Sequence, residues 1–167
     1  MTTTSYPLRP FLPADAMALR ELFAASIEEL CQEDYDEDQR AAWASAAADA
    51  DAFMKRLASA LTLVVHDEGE HLGFANLKDN QTIDMLYVHP FYAGEGVGTA
   101  LCAALETLAA ARGTEAISVD ASDTAQIFFE KRGYVPMRRN SIPIDDQWLS
   151  NTTMTKQLKP VSAKATP

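Results

Sequence analysis

"HPFYAGEGVGTALCAALETL", residues 89–108, is the stretch on which the reading of this chain turns. Three of only seven glycines, Gly94, Gly96 and Gly98, stand at alternate positions in front of an Ala- and Leu-rich run of helical composition. Glycine loses the most conformational freedom on folding and brings no side chain to pack. Its clustering implies a backbone that must curl, or a partner that must approach it closely. Just upstream, "TIDMLYV" (82–88) is rich in β-branched and aromatic residues and reads as a strand. The glycines therefore mark a strand-to-helix junction. Up to four N–H groups at a helix start lack an intrahelical acceptor, and the helix dipole adds partial positive charge there. With no Cβ atoms to fend off a ligand, such a junction is an anion cradle suited to phosphate. A plain glycine turn with close helix packing is the competing reading.

Two nucleotide motifs fail at this point. A P-loop closes its glycine run with Gly-Lys-Ser/Thr, whereas Gly98 is followed by Thr99 and Ala100. A dinucleotide fingerprint needs G-x-G-x-x-G after the first strand of a parallel unit; "GEGVGT" lacks the last glycine, and Glu115 and Asp120 are weak stand-ins for the acid further on.

Working outward, "LTLVVH", "HLGFANLK" and "TIDMLYV" are short strands joined by the tight turns "DEGE" and "DNQ", the pattern of an antiparallel meander. "GVGTALCAALETLAAARG" is a long helix closed by Gly113, "AISVDAS" a strand expected beside "TIDMLYV", and "DTAQIFFEKRG" a short helix ending at Gly133. "YVPMRR" and "WLSNTTMTKQL" read as closing strands. Before the meander, "SYPLRPF" is a first strand that Pro7 and Pro10 confine to an edge. Pro13 opens a helix that carries Met17, Leu19, Leu22, Phe23, Ile27 and Leu30 near one face. A second helical region follows the acidic stretch "QEDYDED" and breaks around Asp49 to Asp51. These elements make one α/β domain over residues 1–158, with a mixed, mainly antiparallel twisted sheet and a disordered tail at 159–167.

Composition narrows the class. With 167 residues, 47% apolar and 23% charged, the chain has the make-up of a single soluble domain with a real core. A formal net charge of −10 argues against nucleic acid or an anionic membrane as partner. No apolar leader or membrane-length run is present, and Cys31 and Cys102 lack paired spacing, so they read as buried free thiols in a cytoplasmic protein. His66 and His71 flank a hairpin turn as surface residues, and no helix carries the carboxylate–histidine spacing of a metal site; none is expected.

The stretch 82–113 resembles motif A of the GNAT superfamily of acetyl-CoA-dependent N-acyltransferases, a strand L-x-V-x-P followed by Q/R-x-x-G-x-G/A at the start of a long helix. Leu86, Val88 and Pro90 fit the strand, and Gly96 and Gly98 the glycines. "ASDTAQIFFEKRGY" (121–134) resembles the downstream N-x-x-A-x-x-x-Y-x-K-x-G-F, with Ala125, Lys131, Gly133 and Tyr134 in register. The order of elements matches over roughly residues 5–158. Tyr35, Asp38, Gln39, Ala42 and Trp43, with "IDMLYVHP" and "WLSN", are similar to a bacterial subgroup of the family. Four departures stand out: Ala93 replaces Gln or Arg, Glu95 replaces a common Lys or Arg, Ser122 replaces an Asn, and Phe129 replaces the Tyr often proposed to protonate the leaving thiolate.

The resemblance implies a GNAT fold, with acetyl-CoA as cosubstrate and direct attack of a neutral amine on the thioester. Leu86, Val88, Ala93, Gly94, Glu95, Gly96, Val97, Gly98, Thr99, Ser122 and Phe129 would line the acetyl-CoA site, with pantetheine in a wedge between the fourth and fifth strands. Asp84 is the leading base, expected on the same alternating face as Leu86 and Val88; a structural anchor is its alternative. With Phe129 unable to donate, Tyr87, Tyr134 or solvent is left to protonate the thiolate. His89 is a strand-end group. Tyr35, Gln39 and Trp43 on one helical face, with Asn140 and Trp148, would form the acceptor pocket or else core. Arg138 and Arg139 either offset phosphate charge or lie on a solvated turn. Family members often dimerise, so a homodimer is implied as well. The acceptor stays open among antibiotic, polyamine, amino acid and peptide N-terminus. From another class, a noncatalytic acyl-CoA sensor or partner-binding module on the same fold is the alternative favoured by Glu95 and Phe129.

Overall fold

Leu8–Pro10 (β1), Leu61–Asp67 (β2), Glu70–Lys78 (β3), Thr82–Val88 (β4), Ala116–Ser122 (β5), Val135–Ile144 (β6) and Gln147–Gln157 (β7) form one sheet in the spatial order β1-β2-β3-β4-β5-β7-β6. The computed structural model describes residues 5–158, so the tail expected at 159–167 lies outside the described residues. Every pairing is antiparallel except β4 with β5, which run parallel. That single parallel pair requires a crossover, and the long helix Val97–Ala111 (α4) supplies it. β1 sits at one edge, where its prolines interrupt no central ladder.

The remaining helices are Ala16–Leu30 (α1), Glu37–Ala44 (α2), Ala50–Ala58 (α3) and Gln126–Lys131 (α5). α1 buries Leu19, Leu22, Phe23 and Ile27, an i, i+3, i+4, i+8 stripe. Met17 falls off that stripe and is 73% exposed, contrary to the sequence expectation. The second helical region breaks slightly earlier than expected, through a single 3-10 turn at Ser45–Ala47. Asp36 and Asp49 then cap α2 and α3, accepting from Gln39 N and Ala52 N. At the far end of α4, Gly113 (φ +90°) allows its own N–H to reach Ala110 O and that of Thr114 to reach Ala109 O, both at 3.0 Å.

The sheet is covered on both faces. α1 and α3 pack Phe23, Ile27, Phe53 and Leu57 against Val64, Phe74 and Met85; α4 packs Leu101, Cys102 and Leu105 against Val65, Ala75, Ile117 and Met154. β3 is buried on both sides over Leu72–Leu77 as a result. Both cysteines are buried and free. β6 continues to Ile144, so Arg138, Arg139 and Asn140 lie on a strand rather than a turn. His71 is not a plain surface residue: its Nε2 lies 2.9 Å from the buried Asp15 carboxylate, and its ring packs on His66 at 4.6 Å between centroids.

Candidate active site

β4 and β5 pair only at Thr82–Ser118 and Ile83–Val119, then part. The cause is legible one strand away. Leu77 pairs with Ile83 but Asn76 pairs with Met85, so Asp84 is an extra residue, a β-bulge, with no partner on β3. Asn76, fully buried, turns its Oδ1 to the Met85 N–H at 2.8 Å and so satisfies the backbone donor beside the bulge. Beyond the bulge, Leu86–Val88 and Val119–Ser122 line opposite walls of a cleft of about 380 Å³.

The bulge also reverses the expected face of Asp84. Leu86 and Val88 join the core under α4, whereas Asp84 turns to the α1–α3 side and meets Arg56 of α3. Arg56 Nε and Nη2 donate to the two carboxylate oxygens at 2.8 and 3.1 Å. Asp120, on β5, occupies the same face across the cleft: its neighbour Ser118 contacts Thr82 at 3.1 Å, and Val119 and Ala121 point into the opposite core. Asp120 accepts from Thr153 Oγ1 at 2.6 Å and is otherwise exposed at the cleft.

Below the cleft, the chain leaves β4 through His89, whose Nδ1 accepts from Phe91 N at 3.1 Å, and makes one 3-10 turn at Pro90–Tyr92. The glycine loop follows. Gly94 and Gly96 take φ of +79° and +90°, a region that side chains rarely tolerate, and Gly96 caps α4. Tyr6 ties this loop to the N-terminal segment by donating to Glu95 O at 2.6 Å, while the Glu95 side chain is exposed. A Cβ on Gly94 would meet nothing within 4 Å and one on Gly96 only the Tyr6 ring at 3.9 Å, so the loop is open above a helix N-terminus, as a diphosphate requires. Gly98 is different. Its missing Cβ makes room for the Phe128 ring, 3.2 Å away, so protein rather than ligand approaches the backbone there.

Tyr35 and Trp43 line the cleft, but Gln39, Asn140 and Trp148 do not. The Gln39 amide is consumed locally: Oε1 accepts from Asp36 N in the α2 cap and Nε2 donates to Trp148 O. Asn140 Nδ2 donates to Asn151 Oδ1 and Thr153 Oγ1, bracing β6 on β7. Trp148 is 62% exposed, away from the cleft. Tyr35 O–H donates to Ser150 O and accepts from Asp123 N, so its role is to pin α1–α2 to the sheet; burial pushes its hydroxyl up to about 12. Tyr87 stands in the cleft with its oxygen accepting from Trp43 Nε1 at 3.2 Å, which leaves its own proton free to be donated. Burial raises the Tyr87 hydroxyl well above its ordinary value, so it keeps that proton at neutral pH. Tyr134 is buried against α4 and donates to Glu106 at 2.8 Å, with its hydroxyl likewise raised by burial. It is turned away from the cleft. Phe129 is buried edge-on to Tyr134 and forms part of the cleft wall near Ser122, whose Oγ accepts from Ala125 N at 3.1 Å. Arg139 pairs with Asp123 and Arg138 with Asn140, so neither reaches the glycine loop through these contacts.

Sequence reasoning passed over Arg56 and Arg132, and met Asp120 only as a weak stand-in for the acid of a dinucleotide fingerprint. Arg56 lies 28 positions from Asp84 and nothing local marks the pair; the alternation of β5 was the one signal for Asp120. Among the described residues, no group of three or more His, Cys, Asp or Glu is disposed to hold a metal, and no helix is long and apolar enough to cross a membrane.

A sheet parted at a bulge, beside a glycine-rich helix start on the crossover, defines the N-acetyltransferase class of α/β fold. The chain belongs to the GNAT acetyltransferase family, whose Acetyltransferase (GNAT) domain matches residues 31–158. A GCN5-related N-acetyltransferase from Rhodopseudomonas palustris is 53% identical, with 95% of this chain and 99% of that one covered and a TM-score of 0.92. The uncharacterized N-acetyltransferase YafP of Escherichia coli K12 is 28% identical over 88% of this chain and 93% of its own length. YncA of Salmonella typhimurium, solved with its cofactor acetyl-CoA, shares the fold at 23% identity and a TM-score of 0.64 over 98% of both chains.

Proposed function

We propose that the protein moves the acetyl group of acetyl-CoA to the primary amine of a small molecule or peptide by direct attack in the cleft between β4 and β5. The observation that carries this reading is the bulge at Asp84: it parts the strands and sets a carboxylate at the mouth of the parting. The donor's diphosphate lies on the open Gly94–Gly96 loop and the first turn of α4, with its pantetheine arm against Leu86–Val88. The acceptor enters from the α1–α3 side, where Asp84 and Asp120 favour an ammonium over an anion. Asp84, its rotamer fixed by Arg56, takes the ammonium proton. The amine lone pair then bonds to the carbonyl carbon, and the C–S bond breaks as the sulfur takes the Tyr87 proton. The second proton, shed by the acylated nitrogen, restores Tyr87, and Asp84 releases its proton to solvent. Phe129 contributes wall rather than proton.

Release of free thiol from acetyl-CoA across an amine panel tests the activity, and turnover of at least one amine is expected. Acetyl-CoA binding with no turnover on any amine would favour a noncatalytic sensor. On a turned-over amine, Asp84→Asn should lower kcat by roughly 10²- to 10⁴-fold and remove the acidic limb of its pH profile, with folding checked by Tm. A loss under about threefold with the limb intact overturns the base assignment; if Asp120→Asn removes the limb instead, the proton goes to β5.

A further inference from the structure

The glycine loop lacks the cations that its family pattern carries, since Ala93 and Glu95 occupy those places. A guanidinium reaches the same turn from another element. Arg132, just after α5, donates from Nη2 to Thr99 Oγ1, in the first turn of α4. Nη1 donates to Phe128 O at 2.8 Å, and the guanidinium carbon lies 3.7 Å from the centroid of the Phe128 ring. That ring is the one that fills the space left by Gly98. The cation is thus laid on a platform that rests on the cradle itself, with three contacts fixing its position. Arg132 has no carboxylate partner among the described residues, a state it shares with Arg20, Arg112 and Arg138. Of these four, Arg132 is the one whose guanidinium is hydrogen-bonded to the first turn of α4. Its Nε–H is buried without an acceptor. An unneutralised, immobilised guanidinium beside a helix N-terminus, in a chain of net charge −10, is arranged for an anion.

We propose that Arg132 is the phosphate-binding cation of the acetyl-CoA site, taking the diphosphate from the α5 side in place of the side chains missing at 93 and 95. Its position at the first turn of α4 assigns it to the diphosphate rather than to the 3′-phosphate. The inference rests on acetyl-CoA as donor but not on the amine chemistry. It also accounts for the paired aromatics of α5: Phe129 faces the cleft, while Phe128 carries the arginine.

The test is calorimetric titration of wild type, Arg132→Lys and Arg132→Gln with CoA, 3′-dephospho-CoA and S-acetylpantetheine, with no acceptor present. Wild type that binds no CoA would fail the donor reading itself. Given wild-type binding, Arg132→Gln is expected to weaken CoA and 3′-dephospho-CoA alike, roughly tenfold, as for loss of a hydrogen bond to a charged group, and to flatten the salt dependence. Arg132→Lys should recover part of the loss. S-acetylpantetheine, which carries no phosphate, should bind both variants as it binds wild type. Unchanged CoA affinity overturns the proposal, and so does a loss confined to CoA, which would move the contact to the 3′-phosphate. An equal loss for S-acetylpantetheine overturns it too, since that marks a collapsed cleft rather than a missing charge; the Tm of each unliganded variant reports folding separately.

Discussion

Gly73, in the middle of β3, shows how much a single hydrogen in place of a side chain can decide. A Cβ there would stand 2.8 Å from Val97 Cγ1, 3.0 Å from the Tyr87 carbonyl oxygen and 3.2 Å from Leu101 Cδ1. The carbonyl belongs to β4 and cannot retreat without opening the β3–β4 ladder, and Val97 is the first residue of α4. Gly73 is therefore what lets the start of α4 close on the sheet. Gly73→Ala should destabilise the fold by about 1–3 kcal/mol, as overpacking does, which at this chain length lowers Tm by about 2–4 °C per kcal/mol. It should also weaken CoA binding by lifting the first turn. Thermal melting with parallel titration checks both; an unchanged Tm would show that the strand yields freely. The sequence made Gly94, Gly96 and Gly98 conspicuous because they cluster, and two of the three do hold the loop in a left-handed conformation. Gly73 passed unremarked in "HLGFANLK", since a strand pattern says nothing about which helix crosses it.

Among the elements, β4 governs the site, and Asn76 of β3 governs β4. The bulge takes one residue out of the ladder, and the Asn76 side chain takes up the Met85 N–H beside it. Asn76→Ala should leave that buried donor unpaired, costing about 1–3 kcal/mol. The larger consequence is geometric. With nothing to hold the extra residue, β4 is free to slip toward regular pairing, which narrows the cleft and swings Asp84 away from Arg56. KM for acetyl-CoA should rise along with the fall in Tm, whereas a drop in Tm at constant KM would make Asn76 a core residue only. Element order and the place of β5 beside β4 were legible, because the pattern changes character at Leu61 and a long helix opens at the glycines; the parallel direction of that pair came only with the structure. The face of Asp84 was not. Alternation assumes unbroken pairing, and the residue that breaks it sits on another strand. Gln39 was misplaced similarly: helical spacing put it between Tyr35 and Trp43, which do line the cleft, but Asp36, three positions earlier, claims its amide for the α2 cap.

At the scale of the molecule, the entry to α1 is held to the N-terminal edge of the sheet by one carboxylate. Asp15 is 4% exposed and accepts two bonds from Arg9 of β1 at 2.7 Å, one from the Leu12 N–H at 2.8 Å, and faces His71 Nε2 of β3 at 2.9 Å. It thereby joins an edge strand, the entry to α1 and a central strand. The Arg9 hydrogen bonds hold the Asp15 carboxyl well below the usual carboxylate range; burial opposes them, and the His71 and Leu12 contacts reinforce them. A carboxylate whose folded value is depressed stabilises the fold above its unfolded value of about 3.9, and that stabilisation drains away as pH falls below it. Asp15→Asn keeps the shape but removes the charge, so the variant lacks this contribution at every pH. The Tm gap between wild type and Asp15→Asn should therefore be widest at pH 5 and above and shrink by pH 3. Melting curves at pH 7, 5 and 3 in constant ionic strength measure it. A gap that stays the same at pH 5 and pH 3 would mean that Asp15 serves by shape and hydrogen bonding alone, and that the ionised Arg9–Asp15 pair adds nothing to the stability of the whole.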